Sequence, residues 1–273
     1  MLDQIVSDAP VFLFVAVRCF ATIMTLPLFS SRTVPHAAKL ALAGCMAFFI
    51  FPQISLTDGI FSSYAKYISP EGNFTLEYIF LLAGEALIGI ILGFFVQIIF
   101  ASFSTAGQFF AFQMGLSASE VYDSLSQVEN PLMGQFFNFM AMLVFLQSNW
   151  LQTLLLKGMS ESFKVISAIS IVENSRFLAE FMMKSLTLLF KDALVIALPV
   201  MASLFLINVT VGILSKAAPQ MNLLSEGFPV LMLTAYFLIF VLVPQFVEFF
   251  GGCFKGGLSE IERLFIGLGG KGL

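Results

Sequence analysis

Arg18, Glu85, Lys191, Asp192 and Glu248 sit inside otherwise apolar runs. An ion is costly to hold in hydrocarbon, so each needs a reason to be there. A secondary transporter would use Arg18 and Glu85 as substrate or proton sites. The structural alternative pairs them with one another or with a partner subunit, or keeps their segments out of lipid. Lys191 and Asp192 are adjacent, so on a helix they do not face each other and each needs its own partner.

Other chemistry finds no support. There is no GxxxxGK[ST] phosphate loop, no HExxH and no GxSxG elbow. Cys19, Cys45 and Cys253 stand singly in or beside apolar runs, without metal-ligand spacing. They read as small apolar packers. The one histidine, His36, lies beside Pro35 with no partner set for a proton switch. No catalytic residue, cofactor or metal is expected. The net charge is −4, without a basic cluster, so nucleic acid is not an expected partner.

The elements that must hold these residues are membrane helices. Of 273 residues, 59% are hydrophobic and 11% charged, with a mean hydropathy of +0.95. That is too few charges to cover a soluble domain. The apolar segments run 10–30, 37–54, 76–112, 131–156, 185–215 and 228–250. A crossing helix needs about 20 residues, so the first, second, fourth and sixth suit single crossings. Segments 76–112 and 185–215 are too long. Each must tilt, break or project beyond the hydrocarbon. Glycines and Pro199 mark their weak points, and Gly89–Gly93 is a small-xxx-small pair that lets another backbone approach.

Asp3 and Asp8 replace the positive region of a signal peptide, so the first apolar run is expected to stay as a helix. With six simple crossings, eight basic residues fall on one side against three on the other. That bias puts both termini in the cytoplasm. The chain reads as a helical membrane domain, 1–250, followed by a glycine-rich tail, 251–273. Leu258–Leu268 of that tail is amphipathic and suggests a surface helix.

Two connectors stand out. Gln113 to Pro131 is small, polar and acidic between two apolar helices. Its backbone cannot stay irregular against lipid, so it lies in water, in a cavity or against protein. Gly212 to Pro229 combines helix-ending proline with the amides of Gln220 and Asn222, and suggests a hairpin tip packed against something.

In this second connector, Ala217-Ala218-Pro219-Gln220-Met221-Asn222 followed by Gly227-Phe228-Pro229 resembles the hallmark of the R-subunit family of the type III secretion export gate, the FliR/SctT family. Arg18 with Pro27 and Phe29, then Val34-Pro35 and Lys39, resembles the family's amino-terminal pattern. Gly84-Glu85, Gly89, Gly93, Ala106-Gly107, Gly115-Leu116-Ser117, Asn208 and Gly212 follow in order. Lys216 departs from the pattern, standing where arginine is usual. That loses a bidentate fork and keeps the charge. Asp123 is followed by Ser124 where many members have Asp-Pro.

The resemblance implies an all-α, polytopic membrane protein of long kinked helices and helical hairpins, packed in a helical multi-subunit gate. It implies a pore-forming subunit without catalysis, in the cell inner membrane at the flagellar basal body. Implied partners are the P and Q gate subunits, the flagellar B-type switch subunit, basal-body rod and ring proteins, exported unfolded flagellar proteins and membrane lipid. Met114, Gly115, Leu116, Ser117, Ala118, Ser119, Glu120, Val121, Tyr122 and Asp123 correspond to a plug that helps close the pore. Arg18, Glu85, Gly89, Gly93, Asn208, Lys216, Pro219, Gln220 and Asn222 are expected to serve subunit packing. The flagellar form is favoured over a virulence injectisome by overall likeness.

Overall fold

The computed structural model describes residues 9–30, 34–54, 63–64, 67, 75–116, 132–217 and 227–268, and the regular elements among them are all helical. In order they are α1 (Ala9–Thr25), α2 (Pro27–Ser30), α3 (His36–Ile50), α4 (Leu76–Gln113), α5 (Leu132–Gln147), α6 (Trp150–Val165), α7 (Ala168–Glu173), α8 (Ser175–Ala217) and α9 (Phe228–Gly267). Within α6, Thr153–Gly158 is wound as a wider π-helix.

The over-long segments fold as unbroken helices. α4 and α8 contain 38 and 43 residues, and α9, whose segment 228–250 was expected to suit a single crossing, is also unbroken over 40. At 1.5 Å per residue they reach about 57, 65 and 60 Å, roughly twice a hydrocarbon core of about 30 Å. The expected weak points do not interrupt them. α4 passes through Gly84, Gly89 and Gly93 and α8 through Pro199, and α9 runs on through a further proline, Pro244. These three are long and apolar enough to cross a membrane, and α5 with α6 would make a fourth, broken span.

The scheme of six like crossings is therefore not what the helices give. α1 and α3 have 17 and 15 residues, short of the roughly 20 a bilayer asks for. Segment 131–156, expected to cross once, is divided at Ser148–Asn149, where Asn149 takes a φ of 56°. Lys39, one of the three basic residues on the lesser side of the charge count with Arg32 and Lys216, is buried in α3. The stretch from Leu258 is the end of α9 and not a separate surface helix.

Hydroxyls inside these helices bond back to their own backbone. Thr22 donates to the Arg18 carbonyl, Ser185 to Phe181, Thr210 to Leu206 and Thr234 to Val230, at 2.8–2.9 Å. A polar side chain so occupied asks nothing of lipid.

The chain divides into two compact units. The first takes Met1–Ile98, Asn149–Ser185 and Lys255–Leu273. Its core is built by Phe14, Cys19, Ile23 and Leu26 beside Ala47 and Ile50 of α3, with Ile88, Leu92 and Phe95 of α4. Phe14 lies between Tyr64 and Tyr78, at ring distances of 5.3 and 4.8 Å. The second unit takes Ile99–Ser148 and Leu186–Phe254. A ladder of phenylalanines fills it: Phe103 on Phe250 at 4.2 Å, Phe110 on Phe137 at 4.9 Å, Phe137 on Phe246 at 5.3 Å and Phe145 on Phe254 at 5.0 Å. Such edge-to-face and tilted pairs add to the dispersion gained by close packing. Outside the ladder, Phe190, Leu198, Phe205 and Ile213 of α8 and Leu233, Phe237 and Phe240 of α9 are more than half exposed. That apolar surface needs lipid or protein over it.

Phe137 is fully buried, whereas Phe139 on the same helix is 60% exposed. Phe137→Ala is expected to destabilise by about 3–5 kcal/mol through the cavity it leaves. Phe139→Ala is expected to cost far less, both read from thermal unfolding in one detergent.

Candidate functional site

Arg18 stands mid-way along α1 and Glu85 in the third turn of α4; both are completely buried. They meet each other. Nε and Nη2 of Arg18 lie 2.7 and 2.6 Å from one oxygen of Glu85, Oε2. Nη1 donates to the Ser162 carbonyl at 2.8 Å and to its hydroxyl at 3.3 Å. Nη2 also donates to the Ile166 carbonyl at 2.8 Å. A guanidinium has five N–H donors; four make these hydrogen bonds, and Nη2 also closes the ion pair with Glu85. The Phe163 ring covers the guanidinium carbon at 4.2 Å, a further favourable contact for a cation.

The local chain explains which carbonyls Arg18 meets there. α6 ends at Val165, and Ile166 turns to extended backbone. The Ser162 carbonyl accepts the Ile166 N–H at 3.0 Å and takes Arg18 as a second donor, at a helix end that carries partial negative charge. Arg18 supplies both the hydrogen bonds and the positive charge. Ser162 also gives its hydroxyl proton to the Met159 carbonyl at 2.7 Å, leaving its oxygen to accept.

Glu85 is satisfied on its other oxygen by Tyr64, whose hydroxyl donates to Oε1 at 2.8 Å. The same hydroxyl accepts the Ala168 N–H. That amide belongs to the first turn of α7, where it has no helical partner. Ser167 caps α7 through reciprocal bonds with Ser170, both at 3.0 Å, so the turn between α6 and α7 is served on each side. Burial, and next the Glu85 carboxylate, push the Tyr64 phenol up from its ordinary range. It stays a donor through neutral and moderately alkaline pH.

Small residues permit this closeness. A methyl group on Gly84 would collide with the Ala168 methyl. One on Gly89 would lie 2.5 Å from the Arg18 carbonyl oxygen and 2.8 Å from the Ala21 methyl. Gly93 faces Thr25 in the same way. Residue numbers rise together along this contact, so α1 and α4 run in the same direction. The Gly89–Gly93 pair is thus the seat of α1.

Arg18, Glu85, Gly89 and Gly93 are brought together in the first unit. Asn208 and Lys216 fall in the second, Asn208 half-buried and Lys216 exposed in the last turn of α8. A lysine there suits the negative end of the helix. Pro219, Gln220 and Asn222 lie outside the described residues, as do Ser117, Ala118, Ser119, Glu120, Val121, Tyr122 and Asp123. The three remaining plug positions form the cap of α4. Gly115 takes φ +78°. Its N–H reaches the Phe112 carbonyl at 3.1 Å, and the Leu116 N–H reaches Ala111 at 3.0 Å. This paired closure is the Schellman motif, which requires a left-handed residue. Met114 beneath it is fully buried.

Of the other ionisable groups, Asp192 receives the Cys253 thiol at 3.8 Å, while Lys191 and Glu248 are exposed. Sequence reasoning missed Tyr64 and Ser162, and the two backbone carbonyls that Arg18 binds carry no sequence signal.

Removing one member of a buried ion pair strands the other, which typically costs about 3–5 kcal/mol. Arg18→Leu and Glu85→Leu are each expected to lose that much in unfolding measured in detergent. The double substitution is expected to cost clearly less than their sum. Tyr64→Phe, which strands the Ala168 N–H and a Glu85 oxygen, is expected to lose about 1–3 kcal/mol.

Comparison with known proteins places this arrangement. Residues 9–257 match the family described as bacterial export proteins, family 1. The flagellar biosynthetic protein FliR of Bacillus subtilis is 32% identical over 242 residues, covering 88% of each chain. Its Escherichia coli counterpart is 32% identical over 252 residues, 90% of this chain and 89% of that one. The surface presentation of antigens protein SpaR of Shigella sonnei is 31% identical over 171 residues, 62% of this chain and 65% of that one. With the match extending over nearly its whole length, the chain belongs to the bacterial export proteins of family 1.

Proposed function

We propose that this chain is a structural, pore-forming subunit of the flagellar type III protein export gate, working without catalysis. The observation that carries the structural part is the state of Arg18 and Glu85. Both are fully buried, and their hydrogen-bonding groups are occupied within the chain. A transporter site needs polar groups free to meet a substrate or a proton. This pair has none to offer while the turn between α6 and α7 is in place. The flagellar assignment follows the names of the relatives, which are flagellar biosynthetic proteins over most of the chain.

In this reading, Arg18, Glu85, Gly89 and Gly93 set the internal shape of the subunit. Asn208, Lys216, Pro219, Gln220 and Asn222 serve packing against sister subunits. The partners are P and Q gate subunits, with the B-type switch subunit and rod and ring proteins around them. The site is the cell inner membrane at the basal body. Residues 114–123 help close the channel that passes unfolded flagellar proteins. Met114–Leu116 form the capped end of α4, with Met114 buried, a base from which such a closure would spring.

Deleting residues 116–125 tests the closure. Assembled complexes carrying the deletion are expected to make the membrane leak ions and small solutes, measured as dye or potassium flux. Tight membranes around fully assembled complexes would refute a closing role. Co-expression tests the partnership: with P and Q homologues the chain is expected to purify in one large complex. A stable, substrate-binding monomer would refute the gate reading.

A further inference from the structure

Gly115 and Phe228 stand far apart in the chain, one in the cap of α4 and the other at the first position of α9. They meet in the second unit, which holds both. A methyl group on Gly115 would lie 3.0 and 3.4 Å from Cε2 and Cδ2 of Phe228. The ring therefore rests against the bare face of the residue that closes α4. The left-handed φ there and the ring beside it both favour glycine.

Phe228 is a firm support. Pro229 follows it in the first turn of α9, where the missing N–H breaks no helical bond and the fixed φ suits the helix. Gly227 before it is buried, and a methyl group there would lie 3.2 Å from Cγ1 of Val211 on α8. The start of α9 is thus held against α8 while its first ring carries the cap of α4. α5 is seated differently. A methyl group on Gly107 would lie 2.5 Å from the Met133 carbonyl oxygen and 2.7 Å from Cα of Gly134, so the start of α5 lies directly on the backbone of α4. Of the two helix ends that flank the first connector, the end of α4 is the one that Phe228 touches.

We propose that Phe228 is a positioning residue: through its ring, the start of α9 sets where the end of α4, Met114–Leu116, stands. A displacement at Gly227 reaches Gly115 across one side chain, without passing along either helix. A ring has few rotatable bonds, so it passes such a displacement on and does not absorb it. The consequence for closing a channel rests on the gate reading above.

Amide hydrogen exchange on the full-length chain in lipid nanodiscs tests the seat itself. Phe228→Ala is expected to speed exchange at the Gly115 and Leu116 amides on the order of tenfold, with amides 101–107 unchanged. Should that variant not be recovered, Phe228→Leu is expected to do the same by about threefold. Unchanged exchange at Gly115 and Leu116 in the recovered variant would overturn the proposal. So would an equal rise along all of α4, the mark of general loosening. In assembled complexes the same variant is expected to pass ions that natural complexes hold back. Faster exchange with tight membranes would support the seat and refute the closing role instead.

Discussion

A buried ion pair constrains a fold because it tolerates no loose ends. Arg18 and Glu85 have left water entirely, and the desolvation they suffer is offset only if every donor and acceptor finds a partner. Two oxygens of Glu85 cannot serve five N–H groups. The remaining donors therefore reach the end of α6, and the remaining oxygen reaches Tyr64. Tyr64 then reaches α7. One charge in α1 so dictates the seating of α4, the connector at Tyr64 and the turn between α6 and α7. The glycines at 84, 89 and 93 follow from the same demand, since bonds this short require backbones this close.

The two units solve different packing problems. The first adds a buried polar node to its apolar core, joining α1, α4 and the turn between α6 and α7. Among the described residues the second buries no charge, and it is held by phenylalanine rings along three helices. In a membrane, apolar burial between helices gains little over lipid, so shape and close contact must hold the pieces together. Rigid rings supply that contact at low entropic cost, having few rotatable bonds. The remaining apolar faces of α8 and α9 are left uncovered by the chain itself, as suits a protein whose neighbours are lipid and other subunits.

Much of this was legible in the sequence. Helical class, membrane character and the long segments follow from hydropathy alone. The ionisable residues that matter were marked by their cost, and Gly89–Gly93 by its spacing. What pairing Arg18 would choose was not legible, because two of its partners are carbonyls, which every residue has. Tyr64 sits in an unremarkable connector and gained its role only from the folded geometry. The continuity of the long helices through Pro199 and Pro244 was also hidden. A proline removes one hydrogen bond, but over some forty residues the rest hold the helix. Segment 131–156 misled because hydropathy does not register a left-handed residue such as Asn149.

The central claim is that Arg18 acts as a clamp on a helix end as much as one half of an ion pair. Exchanging the two charges, with Arg18→Glu and Glu85→Arg in the same chain, measures this most directly. The exchange keeps the attraction between the two positions but aims no donors at Ser162 and Ile166. The recovery of folded protein by size-exclusion chromatography is predicted to stay as low as for either single reversal. Recovery at the natural level would contradict the account and reduce the node to a simple ion pair.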